Sequence, residues 1–122
     1  MDVMSMLKVA SWLFILAAAG GLVMAGIRFG SGRNPPIWIA YAHGLLAGAG
    51  LTLLLYAGAF GNLPSRAMIG TGLLLLAAAG GSVLNLFYHW RQQPIPKGLT
   101  VGHILLAVLG LVMLLLAVYR PG

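Results

Sequence analysis

The sequence predicts an all-α integral membrane protein, a four-helix up-and-down bundle built from a tandemly duplicated helical hairpin. Three observations predict this fold: 61% of the residues are hydrophobic, four long apolar stretches fill the chain, and one half of the sequence repeats in the other. Only 7% of the residues are charged, whereas a small soluble domain needs about a quarter. This composition excludes a soluble enzyme and a disordered tail.

Each apolar stretch supplies the run of about 20 residues that a membrane-spanning helix needs. The four stretches cover residues 5–29, 37–60, 66–89 and 98–119. The joints at 30–36, 61–64 and 92–96 contain the glycine, asparagine and proline residues that interrupt helices. Because these joints are short, neighbouring helices must be antiparallel, and the tyrosines and tryptophans near the helix ends suit interfacial belts. The chain 1–122 is therefore expected to form one transmembrane domain.

An internal repeat relates the two halves of the chain. The segment 16–21 reads LAAAGG and recurs 60 residues later at 76–81, while segment 43–57 matches segment 103–117 at nine of fifteen positions. This pattern predicts one repeat over about 1–62 and a second over about 63–122, related by an axis along the membrane normal. The first helix, although it has features of a signal peptide, is then the counterpart of the third and belongs to the mature bundle.

Two histidines occupy equivalent places in the repeats. His43 and His103 lie in helices 2 and 4, at the same depth of about 10 Å below the membrane surface. In an up-and-down bundle these helices are diagonal, so their inner faces oppose each other. An ionisable side chain at this depth marks a functional site. Facing imidazoles suit the two axial ligands of one haem b, with His43 and His103 as the iron ligands; the alternative is that each imidazole bonds a neighbouring carbonyl.

Small residues on helices 1 and 3 would give the edges of a porphyrin the clearance that it needs. The glycines predicted to provide this clearance are Gly20, Gly21, Gly80 and Gly81. The alternative is close helix packing, for which small residues are also typical in membranes.

Polar residues near the loops complete the predicted cofactor site. Asn85 is placed to accept a hydrogen bond from a ligand imidazole. The haem propionates are expected to turn toward four basic residues, which otherwise anchor the loops at lipid headgroups: Arg28, Arg33, Arg91 and Lys97. This side carries four basic residues against three on the other, a slight preference for both termini outside. His89, whose counterpart is Phe29, is interpreted mainly as an interfacial residue, and otherwise as a propionate contact, a proton-exchange group at a quinone pocket or a replacement ligand.

The arrangement of histidines and glycines resembles the four-helix haem core of respiratory cytochrome b and of small bacterial membrane cytochromes b. The resemblance implies His43 and His103 as ligands and the four glycines as clearance. Those families usually hold two stacked haems, whereas this chain has one histidine on each ligand helix. Conduction through a haem pair is therefore not expected. The twin HGLLA and HILLA segments are also similar to those of small proteobacterial four-helix membrane proteins, a similarity that implies no activity.

Bis-imidazole ligation leaves no open iron position, so the predicted role is one-electron transfer by a b-type cytochrome or haem-binding subunit. An electron-transfer subunit without catalytic residues is favoured over a stand-alone enzyme. The expected surroundings are membrane lipid in a bacterial inner (cytoplasmic) membrane, with quinone or a redox membrane subunit as partner and with the oligomeric state left open. Scattered basic residues exclude nucleic acid. The alternative is a haem-free structural or assembly subunit of a larger, respiratory-type membrane complex.

Overall fold

The computed structural model describes residues 1–120, and all regular secondary structure within them is helical. The helices are α1 (Val3–Ser31), α2 (Ile37–Phe60), α3 (Ser65–Leu84) and α4 (Lys97–Tyr119), and α3 continues as a π-helical turn over Asn85–His89. All four, with the π turn counted into α3, are long and apolar enough to cross a membrane. The predicted all-α architecture of four helices is confirmed, and the predicted ends agree within two residues.

Local chemistry sets the helix ends. The Asp2 carboxylate accepts a hydrogen bond of 2.7 Å from the Ser5 amide and caps the N-terminus of α1. Gly32 ends α1 with a left-handed backbone, φ 75°, which a residue without Cβ adopts at no steric cost. The three other helices each begin directly after a proline, because proline fixes φ and cannot continue a preceding helix.

The helices form two hairpins that close into a four-membered ring. Contacts are most extensive between α1 and α2 and between α3 and α4, while α1 also touches α4 and α2 also touches α3. The pairs α1/α3 and α2/α4 are therefore the two diagonals of the bundle. The hairpins contact each other less extensively than the helices do within each hairpin.

The tightly packed core lies at the end of the bundle that carries the chain termini. Its largest fully buried apolar side chains are Leu7, Leu54 and Leu114, which belong to one cluster with residues from all four helices. Toward the other end, which holds the loops 32–36 and 90–96, the helices bury the small side chains of Ala17 and Ala77. The loop end of the interior is thus built from small residues and from histidines.

The two halves bury the same positions. Each buried residue of the first half has a buried counterpart 60 residues later. The pairs are Leu7/Ala67, Ala10/Gly70, Ser11/Thr71, Phe14/Leu74, Ala17/Ala77, Pro35/Ile95, Gly50/Gly110, Leu54/Leu114 and Ala57/Ala117. The second half additionally buries Leu84, His89 and Val118. The two halves therefore bury equivalent positions. Of the three additional buried residues, Leu84 directly precedes the π turn and His89 ends it.

Large apolar side chains cover the outside of the bundle. Trp12, Leu45 and Phe60 are 59%, 76% and 78% exposed, and many other leucines, valines and aromatic residues also face outward. Soluble monomers rarely expose contiguous apolar surface on this scale. The exterior, together with the length of the helices, suggests a membrane protein.

Candidate functional site

The structure brings His43 of α2 and His103 of α4 together across the bundle axis. The two ring centroids are 6.2 Å apart and the ring planes are inclined by 73°. Both side chains are partly buried. These two residues, called the histidine pair below, are the only place within residues 1–120 where the rings of two histidines are in contact.

Each histidine of the pair is held by a backbone carbonyl of its own hairpin. Nδ1 of His43 lies 2.6 Å from the carbonyl oxygen of Ala17, and Nδ1 of His103 lies 2.7 Å from that of Ala77. Because a carbonyl oxygen only accepts, each Nδ1 carries the proton and donates it. In the neutral imidazole this bond fixes the tautomer, so Nε2 of each ring keeps its lone pair. This hydrogen bond is the usual outer-shell support of a metal-binding histidine.

The predicted clearance glycines all face the histidine pair. A Cβ added to Gly21 would lie 3.1 Å from Cε1 of His43, and one added to Gly81 would lie 2.9 Å from Cε1 of His103. A Cβ at Gly20 or Gly80 would approach the same histidines to 3.8 and 3.9 Å. The absence of side chains at positions 21 and 81 therefore lets the imidazoles approach α1 and α3 closely.

The loops 32–36 and 90–96 are bound to each other at the same end of the bundle. The Asn34 side chain donates to the Gln93 carbonyl (2.7 Å) and accepts from the Ile95 amide (3.1 Å). Arg28 Nε donates to the Ile95 carbonyl (3.0 Å), and the same guanidinium donates to the Gly32 carbonyl (2.9 Å). Arg28, predicted as a propionate contact, thus joins the two hairpins through backbone oxygens.

His89 provides a third link between the loops. Its imidazole is only 8% exposed, and Nε2 lies 2.6 Å from the Pro35 carbonyl oxygen, to which it donates. His89, predicted to be mainly an interfacial residue, has its ring buried between the hairpins. The burial follows from the π turn, because hydrogen bonds between residues five apart, such as that from the Trp90 amide to the Asn85 carbonyl, widen the helix and rotate His89 inward.

The other predicted cofactor-binding residues lie on the outer part of this end. Arg91 Cζ is 5.4 Å from the centroid of the Phe87 ring, and Lys97 Nζ is 6.0 Å from that of Phe29. Arg33 is exposed and lines a groove between the loops. Asn85 is the first residue of the π turn, and its side chain makes no hydrogen bond within the part of the chain that the structure describes. The histidine pair bonds Ala17 and Ala77 rather than Asn85.

Two features of the site were not anticipated from the sequence. One is the identity of the two carbonyl acceptors, Ala17 and Ala77, since the sequence indicates only that each imidazole could bond some neighbouring carbonyl. The other is the backbone of Gln92, whose φ is 56°. Its counterpart in the repeat is Gly32, with φ 75°, so the repeat itself contained the signal for a left-handed residue at position 92.

Taken together, the fold and the site define an all-helical four-helix protein with one inward-facing histidine pair. Comparisons with models of protein families, with curated proteins and with solved structures gave no match. The function is therefore inferred from the geometry of the site.

Proposed function

We propose that this chain is an integral membrane protein of the bacterial inner membrane that binds one haem b between His43 and His103 and transfers single electrons. The observation that carries the proposal is the pair of opposed imidazoles, each with Nδ1 bonded to a carbonyl and with Nε2 left as a ligand. The matching burial of the two halves supports their origin in a tandem duplication of one hairpin.

The spacing of the histidine pair agrees with ligation of one metal ion from opposite sides. An imidazole–metal bond of about 2.0–2.1 Å, added to about 1.1–1.2 Å from ring centre to nitrogen in a ring with roughly 1.33 Å bonds, gives centroids about 6.2–6.6 Å apart. The observed separation is 6.2 Å. The carbonyl bonds of both Nδ1 atoms leave both Nε2 atoms unprotonated in the neutral rings, which supports the ligand interpretation.

The number of ligands favours haem over a metal ion bound by protein alone. Within residues 1–120, no three histidine, cysteine or acidic side chains lie close enough together to hold a metal ion. Zinc sites need three or four protein ligands, whereas a porphyrin supplies four nitrogens and requires only two axial ligands.

Haem iron, when bound, would accept and release one electron. The residues of the chain would hold it in a fixed environment. The carbonyls of Ala17 and Ala77 orient the two imidazoles and increase their basicity as ligands. Gly21 and Gly81 allow those orientations, and the linked loops keep the two hairpins in register. Of the predicted propionate contacts, Arg33 and Arg91 have guanidinium groups that donate to no carbonyl within residues 1–120, and that of Arg91 lies over the Phe87 ring.

The test is a reduced-minus-oxidised spectrum of protein purified in mild detergent from haem-replete cells. We expect the sharp α band of low-spin haem b and one haem per chain by pyridine haemochrome assay. His43→Ala and His103→Ala should each abolish the band, while His89→Gln, the matched control, should retain it. A colourless wild-type protein would refute the proposal and favour the haem-free structural subunit. Retention of the low-spin band in both alanine variants would refute the ligand assignment.

A further inference from the structure

An open groove of about 620 Å³ lies between the two linked loops, separate from the histidine pair. The residues that give it chemical character are Arg33, Tyr41, His89, Trp90 and Gln92. Tyr41 and Trp90 form one wall, with ring centroids 6.3 Å apart. Both rings are exposed, at 42% and 63%, so this wall is open to the surroundings of the bundle.

Two irregular backbone conformations lie beside the groove, and both belong to the second half of the chain. The π turn at Asn85–His89 replaces the α-helical ending that α1 has in the first half. Gln92 adopts a left-handed backbone, φ 56°, where the first half has glycine. Left-handed non-glycine residues and π turns both occur frequently at functional sites. The two departures place His89 and Gln92 in the groove.

The groove presents a hydrogen-bond acceptor and a cation. Because Nε2 of His89 donates to Pro35, Nδ1 of the neutral ring holds a lone pair. No fully buried side-chain nitrogen or oxygen in the described residues lacks a partner, so this unbonded atom retains some exposure, and His89 lines the groove. The Arg33 guanidinium lines the same groove, and no hydrogen bond engages it within residues 1–120. A ligand with a hydroxyl donor and an anionic group would complement both.

The charge distribution also favours an anion at this end. Asp2 is the only acidic side chain among 122 residues, against seven basic ones. It caps α1 through Ser5 at the opposite end of the bundle. Of the basic side chains at the loop end, Arg28 binds backbone carbonyls, and two others lie over aromatic rings. Arg33 has neither kind of contact within residues 1–120, so its guanidinium is available to an anion from outside the chain.

We propose that this groove binds the headgroup of an anionic phospholipid of the phosphatidylglycerol type. The phosphate would pair with Arg33, since charge-assisted bonds from a guanidinium to phosphate are strong. A headgroup hydroxyl would donate to Nδ1 of His89, and the exposed rings of Tyr41 and Trp90 would contact the glycerol region, where such rings are enriched. Basic pockets between membrane helices recognise phospholipid headgroups in this way. The inference rests on the membrane placement of the proposed function and is independent of haem.

The experiment titrates delipidated protein in dodecyl maltoside with short-chain phosphatidylglycerol, and separately with phosphatidylcholine and with glycerol 3-phosphate. Thermal unfolding by intrinsic fluorescence and native mass spectrometry report binding and stoichiometry. We expect one tightly held phosphatidylglycerol, a higher melting temperature with that lipid, and no effect of the other two compounds. Arg33→Gln should weaken binding about fivefold, as expected for one arginine at about 1 kcal/mol.

Arg91→Gln is the matched control, because it removes the same charge from the same end while its side chain lies over Phe87 outside the groove; less than a twofold change is expected. The double variant His43→Ala/His103→Ala should keep the lipid preference, which separates this test from that of haem binding. Equal responses to phosphatidylglycerol and phosphatidylcholine, or equal losses in the two arginine variants, would overturn the proposal. Displacement of the lipid by a soluble quinone analogue, unaffected by Arg33→Gln, would also overturn it.

Discussion

Gly81→Ala is the substitution whose effect follows most directly from the geometry of the histidine pair. The added Cβ would lie 2.9 Å from Cε1 of His103 and 3.5 Å from Nδ1. Carbon atoms prefer about 3.5–4.0 Å, so the ring must retreat by roughly 0.6 Å. The bond from Nδ1 to the Ala77 carbonyl is 2.7 Å long and would be stretched beyond about 3.2 Å, the outer limit of a good hydrogen bond, if the ring moved directly away from it.

Three contributions set the size of the effect. Overpacking of a filled site costs about 1–3 kcal/mol, and loss of the hydrogen bond costs about 0.5–1.5 kcal/mol. Alanine in place of glycine inside a helix returns about 1 kcal/mol. We therefore expect Gly81→Ala to lower the free energy of unfolding by about 0.5–3.5 kcal/mol.

Gly80→Ala is the matched control, since its Cβ would meet His103 only at the ordinary contact distance of 3.9 Å. The gain in helix propensity is common to both variants, so their difference isolates the effect on the imidazole, about 1.5–4.5 kcal/mol. Gly21→Ala should show the same effect at smaller size, because its Cβ would lie 3.1 Å from His43.

The assay is equilibrium unfolding in mixed micelles of dodecyl sulfate and dodecyl maltoside, followed by far-ultraviolet circular dichroism. Protein without haem is used so that ligand binding does not contribute. If Gly81→Ala and Gly80→Ala unfold with free energies that agree within about 0.5 kcal/mol, the close approach of α3 to the imidazole does not restrain the ring, and the reasoning above is refuted.

Three further outcomes are expected. Gly70→Ala should destabilise the bundle by about 1–3 kcal/mol, because its Cβ would lie 2.9 Å from a backbone oxygen of α4. Gly72→Ala, whose Cβ would meet nothing within 4 Å, should not destabilise it. The same unfolding assay compares the two variants. Gln92→Gly should raise the unfolding free energy by about 0.5–1 kcal/mol through relief of the left-handed backbone, and an unchanged or lower value would contradict this. Hydrogen bonds from Ser5 hold the pKa of Asp2 below its ordinary value of 3.8, so its stabilisation of α1 is complete above that value and is lost as pH falls through the lowered pKa. The protection factor of the Ser5 amide against hydrogen exchange should therefore fall at acid pH in the wild type but not in Asp2→Asn.

Several parts of the site followed from the sequence because they depend on local pattern. Apolar length gave the four helices, proline and glycine gave their ends, and the repeat placed His43 and His103 at equivalent positions. The assignment of haem to that pair stays a prediction. The burial of His89 could not be predicted, because it depends on a π turn that neither composition nor periodicity indicates.

By itself, the sequence determined that the chain is helical, largely apolar and internally repeated, because these properties depend on composition and on spacing along one chain. Only the tertiary structure decided which atoms meet. Every residue has a backbone carbonyl, so the sequence does not show which carbonyls the imidazoles meet. The packing of α1 on α2 and of α3 on α4 brings the carbonyls of Ala17 and Ala77 to the imidazoles. These contacts fix which nitrogen of each ring is protonated. The link from His89 to Pro35 likewise joins residues 54 positions apart, a separation at which local propensity has no influence and only the closing of the bundle sets the contact.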